Sequence, residues 1–344
     1  MIAKKRLRQV LLRTLYHTGV SRLLQSRRSG IGVIFLLHRV VPKGSPILAP
    51  DLVITDDFLD GMLHSVRRHG WDIVSLGEVR QRLSEGSQQK NFACFTFDDG
   101  YLDNLTVALP IFRRYQAPMC VYVTSGFMDR SHLIWWPVVE RMIIDRDRIE
   151  IMVDGQARVQ LNETLEQKKN AYVQFLPLLF APSETALMQL FERNGIDPVA
   201  TMNPLLLDWQ QLRQLAADPL VEIGCHTVSH RALSSLCKCE VTHEMADSRE
   251  TLEKKLSMKV RHLAYPQGTK AECGMREFEL ARDLGFETAV TARSGNIFPA
   301  HRDHLTALPR LNVCGEDSSP SYRVLEGLFG ASLWPHYAQS PVKD

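Results

Sequence analysis

Two carboxylates stand side by side at Asp98-Asp99, followed by Gly100, and two imidazoles stand four residues apart at His226 and His230. Adjacent carboxylates repel, so a chain places them together where a cation is shared or a proton is held between them. Imidazoles at positions i and i+4 can point at one ion from a strand's end or a nascent helical turn. The two segments together supply two nitrogens and a carboxylate, with coordination positions left open for water and substrate. Such a mixed set suits zinc or another late first-row divalent metal. A third segment, Ala264-Tyr265-Pro266-Gln267-Gly268, sets one residue between Pro and Gly. The Gln267 N–H could there be held toward a reacting oxygen, a donor that contributes about 3 kcal/mol in comparable sites. The same residues also suit a plain tight turn.

Each segment needs an element to carry it. An apolar, aromatic-rich run from Phe92 to Phe97 reads as a buried strand that ends at Asp98. Leu220 to Cys225 reads as the strand delivering His226, and Val260 to Tyr265 as the strand delivering Gln267. Further strands are expected at Ile31–Leu37 (running into His38), Trp71–Leu76, Pro118–Thr124, Phe286–Ala292 and Thr306–Val313. Helices are expected near 55–69, 78–83, 102–115, 208–217, 240–256 and 272–284, the first capped by Thr55 and stopped by Gly70. Strands alternating with helices imply a parallel sheet, and this many units favours a closed or nearly closed barrel. The alternation breaks between Asp129 and Asn203, read as an inserted, mainly helical subdomain with a hairpin around Asp154-Gly155. Trp135 and Trp136 are read as anchors for its packing.

The chain thus divides into a basic leader (1–30), a barrel (31–128 and 204–315), the insertion (129–203) and a C-terminal tail (316–344), where 321–329 could add a helix. The 344 residues carry a net charge of +2 that hides an asymmetry. No Asp or Glu precedes Asp51 while ten Lys and Arg do, leaving 31 basic against 39 acidic residues afterwards. Leu7, Leu11 and Leu15 recur at helical spacing, so residues 1–28 could form a basic amphipathic helix in peripheral contact with anionic lipid. Arg13 and Arg22 interrupt any secretory apolar core, and Val33 to Leu37 is too short to span a bilayer. Seven cysteines without a C-x-x-C pair fit a reducing cytoplasm, with Cys237 and Cys239 as bystanders. The expected location is cytoplasmic, peripheral to the inner membrane face. No G-x-S-x-G, P-loop or G-x-G-x-x-G is present, which argues against a serine hydrolase or a nucleotide site; no nucleic-acid partner is expected.

T-F-D-D-G-Y at 96–101, H-T-V-S-H at 226–230 and A-Y-P-Q-G at 264–268, in that order, resemble the polysaccharide deacetylases, the carbohydrate esterases of the NodB-homology type. The resemblance covers about Ile31 to Val313 without the insertion. It implies an α/β distorted (β/α) barrel with its site at the C-terminal ends of the strands. It also implies hydrolysis of N-acetyl groups on an N-acetylated oligo- or polysaccharide, with a divalent metal, Zn2+ foremost. Carried over by position, it makes Asp98 the general base and gives the metal to Asp99, His226 and His230. A water activated there attacks the amide, and the oxyanion rests on the metal and the Gln267 N–H.

Two departures from the family pattern matter. The position of the arginine that braces the catalytic Asp is Ala264, and the late Leu-x-His motif that supplies an acid is missing from Leu305–Leu311. Arg310 is expected to brace Asp98 instead, and His38, with His304 as its rival, to serve as the acid. Two other readings stay open: a catalytically inactive carbohydrate-binding relative, and an amidohydrolase acting on a non-sugar amide.

Overall fold

The central strands are apolar on both faces, as parallel strands covered on both sides must be. Gly32–Leu37 (β1) pairs in parallel with Phe92–Phe97 (β5), Gly32 opposite Phe92 and Leu37 opposite Phe97. Between them in sequence come the short strands Arg39–Val41 (β2) and Val53–Thr55 (β3), a separate parallel pair that the sequence did not announce. Helix α1 (Asp56–Arg68), strand β4 (Asp72–Ile73) and helix α2 (Leu76–Glu85) follow. Thr55 does sit at the N-cap of α1, yet its hydroxyl donates to Asp57 Oδ1 rather than capping. The computed structural model describes residues 30–85, 90–153, 156–179, 184–315, 320 and 324. Residues 1–29 of the basic leader, the Asp154-Gly155 turn and the expected 321–329 helix, Val324 apart, lie outside them.

After β5 the expected single helix splits into a wide π-helical turn at Asn104–Ala108 and helix α3 (Leu109–Tyr115). Strand β6 (Met119–Val123) and the one-turn helix α4 (Ser125–Met128) come next. The chain then leaves the main sheet. Helix α5 (Trp135–Asp145) precedes an antiparallel hairpin of β7 (Arg148–Val153) and β8 (Gln156–Leu161), and helices α6 (Leu165–Leu179), α7 (Glu184–Arg193) and α8 (Pro198–Met202) complete the excursion. Helix α9 (Trp209–Ala216) brings it back to β9 (Val221–Cys225), and Asp208 caps α9 reciprocally with Gln211.

The long helix α10 (Lys238–Leu256) begins at Cys237, whose Sγ accepts from the Glu240 N–H while the Glu240 carboxylate accepts from the Cys237 N–H. That cysteine is a helix cap, not a bystander. Strand β10 (His262–Ala264), helix α11 (Met275–Asp283), strand β11 (Thr288–Val290), two 3-10 turns (Pro299–Asp303 and Leu305–Ala307) and strand β12 (Leu311–Asn312) end the described chain. The last expected strand is therefore only two residues long; the 3-10 turn takes up its first two residues.

The curled sheet runs β11-β10-β9-β6-β5-β1-β12, with β4 added on β5. Its open side lies between β11 and β12 and is laced by backbone bonds: Thr291 N–H to Leu308 O at 2.9 Å and Leu308 N–H to Ala289 O at 3.0 Å. Period-2 alternation divides the strand residues between two apolar layers. Ile34, Cys94, Cys120, Tyr122, Ala264 and Val290 pack in one cluster. Phe35, Phe95, Phe97, Val121 and Leu263 pack in the other, with residues of the surrounding helices. Gly224 is required on β9, because a Cβ there would stand 2.3 Å from the Tyr122 ring. All main-sheet strand pairs are parallel, so every strand releases its chain at one rim.

Candidate active site

Strand register decides which residues meet at that rim. Leu37 lies opposite Phe97, and the Asp98 N–H donates to Leu37 O at 2.9 Å, which brings His38 and Asp98 to neighbouring strand ends. Cys225 lies opposite both Val123 and Leu263, so His226 emerges between β6 and β10. Past these ends the backbone enters the left-handed region, sparsely populated by side-chain-bearing residues. Asp99 (φ 76°), Thr227 (65°), His230 (58°) and Gln267 (57°) are four of the seven non-glycine residues with positive φ among those described. Strain of this kind persists where the surroundings enforce it, and it gathers at functional sites.

Asp99, His226 and His230 each offer a ligand atom, and these atoms lie within 4.8 Å of one another. Asp99 Oδ1 stands 3.6 Å from His226 Nε2 and 3.4 Å from His230 Nε2. That oxygen is buried and accepts no hydrogen bond from the described residues. A buried carboxylate oxygen without a partner is costly unless something positive is to meet it. His226 Nδ1 donates to Ala264 O at 2.8 Å. Since a carbonyl only accepts, Nδ1 carries the proton and the Nε2 lone pair faces the cluster, as a metal-binding imidazole requires. Burial, and after it the Asp98 charge, pushes the Asp99 pKa well above the usual carboxylate range. Burial lowers His226, and burial with the neighbouring His226 takes His230 well below the ordinary imidazole value. A strained acid and two neutral imidazoles around a partnerless oxygen fit a divalent cation.

Asp98 is held differently. Arg310, 1% exposed, donates from Nη1 to Asp98 Oδ1 and from Nη2 to Oδ2, both at 2.7 Å. The rest of its fork reaches Thr291 O at 2.9 Å and Thr96 Oγ1 at 3.1 Å. Burial opposes the charged form of Asp98, but the guanidinium, helped by His226 and His38, outweighs it and holds the acid at about 2. Position 264 carries no arginine; its carbonyl orients His226, and the guanidinium arrives from the far end of the chain.

His38 is half-buried, with an Nδ1 that meets no partner among the described residues. Burial, against the pull of Asp98, lowers it to about 4, so it rests neutral. Its neighbours are clamped: Asn104 Nδ2 donates to His38 O at 2.8 Å, and Asp103 Oδ1 accepts from the Val40 N–H at 3.1 Å. Gln267 sits at the head of a turn closed by Gly268 N–H to Pro266 O at 2.6 Å, and its own N–H meets no acceptor among the described residues. His304 sits at the junction of the two 3-10 turns. One group escaped the sequence reading, and another was read there only as packing. Glu244 on α10 accepts from Val228 N–H and Ser229 N–H, both at 2.9 Å, and from the Ser229 hydroxyl, gripping the loop between the two histidines. Trp136 lays its indole beside His230, ring centroids 4.9 Å apart. An acidic helix residue fourteen positions past His230 and a tryptophan in another segment carry no local signal.

A family profile described as "Polysaccharide deacetylase" matches residues 85–289 of this sequence. The chain belongs to the polysaccharide deacetylase family. Among solved structures the deacetylase fold recurs in Streptococcus pyogenes deacetylase PplD, in complex with acetate (20% identity, TM-score 0.57, covering 86% of this chain and 97% of that one). It recurs in a de-N-acetylase from Aggregatibacter actinomycetemcomitans (15%, 0.56, 86% and 99%) and in IcaB from Ammonifex degensii (18%, 0.55, 87% and 97%). Among curated proteins none matches the sequence. Membership implies a hydrolase that removes acetyl groups from carbohydrate, and the expected α/β barrel-like architecture is the family's.

Proposed function

We propose that the protein is a metal-dependent hydrolase that removes N-acetyl groups from an N-acetylated oligo- or polysaccharide. The observation that carries this reading is the pairing of a three-residue ligand cluster with a second carboxylate, Asp98, that is not needed for ligation and is kept ionised by Arg310. Relatives of the same fold include a de-N-acetylase and a deacetylase bound to acetate, the product such a reaction releases.

Asp99, His226 and His230 would hold the ion, with Zn2+ the best match to their nitrogen–oxygen set. When bound, such an ion supplies Lewis acidity, polarising a carbonyl and acidifying water. Asp98, ionised and oriented by two hydrogen bonds, accepts the proton of the attacking water as general base. The Gln267 N–H, without an acceptor among the described residues, is available to the oxygen that gains charge as the amide carbon turns tetrahedral. The departing nitrogen needs a proton. His38, neutral at rest and within the field of Asp98, is the group that passes it on. One proton passes from water to the departing nitrogen, so acetic acid and a free amino sugar result, and the acid then ionises to acetate.

The basic leader supports a location in the cytoplasm at the inner membrane face, with residues 1–28 in peripheral contact with anionic lipid. Acetate release from a panel of N-acetylated oligosaccharides, with and without chelator, tests the enzymatic reading. Release that chelator abolishes is expected; no release from any of them would support the inactive carbohydrate-binding reading instead.

A further inference from the structure

Helix α5 carries Trp136 and Glu140 four residues apart, on one face. The Trp136 ring is tilted 46° to the His230 imidazole at 4.9 Å, and Phe127, 6.1 Å from Trp136, stacks on the same imidazole at 5.9 Å. The Trp136 Nε1–H donates to the Tyr101 hydroxyl at 2.9 Å. That bond fixes the Tyr101 side chain, two residues past the ligand Asp99. One indole thus bears on two of the three ligand residues, on His230 directly and on Asp99 through the Asp99–Tyr101 turn.

The helix that presents it is pinned. Glu140, 5% exposed, accepts from the Leu48 and Ala49 N–H groups at 3.2 Å each, and its other oxygen takes Arg39 Nη1 at 3.4 Å. Arg39 in turn donates to Asp103 Oδ2 and lies over the Tyr101 ring, 5.4 Å from its centroid. Sliding α5 away would strand a buried carboxylate and two amides, so Trp136 is held in place.

We propose that Trp136, pinned through Glu140, is a positioning residue for the ligands Asp99 and His230, so that the segment between β6 and β9 completes the metal site. The inference rests on the reading of Asp99, His226 and His230 as ligands. Outer-shell partners of this kind change metal affinity by about 10–100-fold when removed.

The test is calorimetric titration of Co2+ into chelator-stripped protein, which needs no substrate. Circular dichroism and a thermal melt verify that each variant is folded. Trp136→Phe keeps a ring beside His230 but loses the N–H, and it should bind the ion about tenfold more weakly. Trp136→Leu loses both and should bind more weakly still. Tyr101→Phe should resemble Trp136→Phe, and the double variant should be no weaker than either single one, because both act along one route. Wild-type affinity in folded Trp136→Phe and Trp136→Leu would overturn the inference while leaving the ligand reading intact. Full additivity in the double variant would overturn the Tyr101 route. A wild-type protein that takes up no ion would overturn the ligand reading and this inference with it.

Discussion

Arg310 and Asp98, 212 positions apart in the chain, meet through two parallel hydrogen bonds of 2.7 Å in the interior of the protein. A bidentate pair of this kind is strong because the planar fork matches the carboxylate, and removing one partner leaves the other charge buried and alone. Arg310→Met should therefore lower unfolding stability at neutral pH by about 3–5 kcal/mol. Adding Asp98→Asn should restore part of the loss. Urea unfolding of wild type, Arg310→Met and the double variant reads both effects, and an Arg310→Met protein as stable as wild type would contradict the pairing.

The same pair sets a pH dependence in chelator-stripped protein. Arg310 and its neighbours depress the Asp98 pKa to about 2 in the folded state, below the unfolded value near 3.8. A depressed carboxylate contributes stability that is present above the unfolded pKa and is lost as pH falls through the folded one. The stability advantage of wild type over Asp98→Asn should hold at roughly 2 kcal/mol from neutral pH down to about 4 and fade between about 4 and 2. Denaturant melts across that window give the curve; an advantage that grows on acidification would contradict it.

His38→Ala should lower turnover by about 100-fold or more, the scale of a lost proton-transfer group, while the bound metal per chain stays unchanged. Metal analysis alongside acetate release separates the two effects. Unimpaired turnover would eliminate His38 and turn attention to His304.

Glu244→Ala removes the acceptor of two backbone amides and a hydroxyl in the loop that sets His230 in its left-handed conformation. Metal affinity should fall about tenfold. Stability should fall by about 1–3 kcal/mol for the amides left unsatisfied. Titration and thermal melts measure these separately, and a variant with wild-type affinity would show that His230 is placed without this grip.

Much of the site was legible because its ligands sit where short local patterns end. Asp98 and Asp99 close an apolar run, and His226 and His230 follow another, so strand chemistry and metal chemistry coincide in one stretch of sequence. An arginine facing Asp98 could be expected only because position 264 lacks one. The carbonyl of Ala264, which fixes the His226 tautomer, was invisible, since any residue supplies a carbonyl and only register brings it to Nδ1. Trp136 read as packing for its own segment; the i,i+4 spacing to Glu140 says nothing of which surface the pair will face. The β2–β3 pair and the π-turn at Asn104–Ala108 escaped because three-residue strands and a one-residue helical slip leave no periodicity to detect.

The central claim is that Asp99, His226 and His230 gather an ion beside a base that the ion does not need. Chelator-stripped wild type and Asp98→Asn, each reconstituted with one equivalent of Zn2+ and given the same N-acetylated oligosaccharide, test it in one measurement of acetate against bound metal. Both should take up the ion, and wild type alone should release acetate. Equal release by the two proteins, or release by wild type left without its metal, would contradict the account.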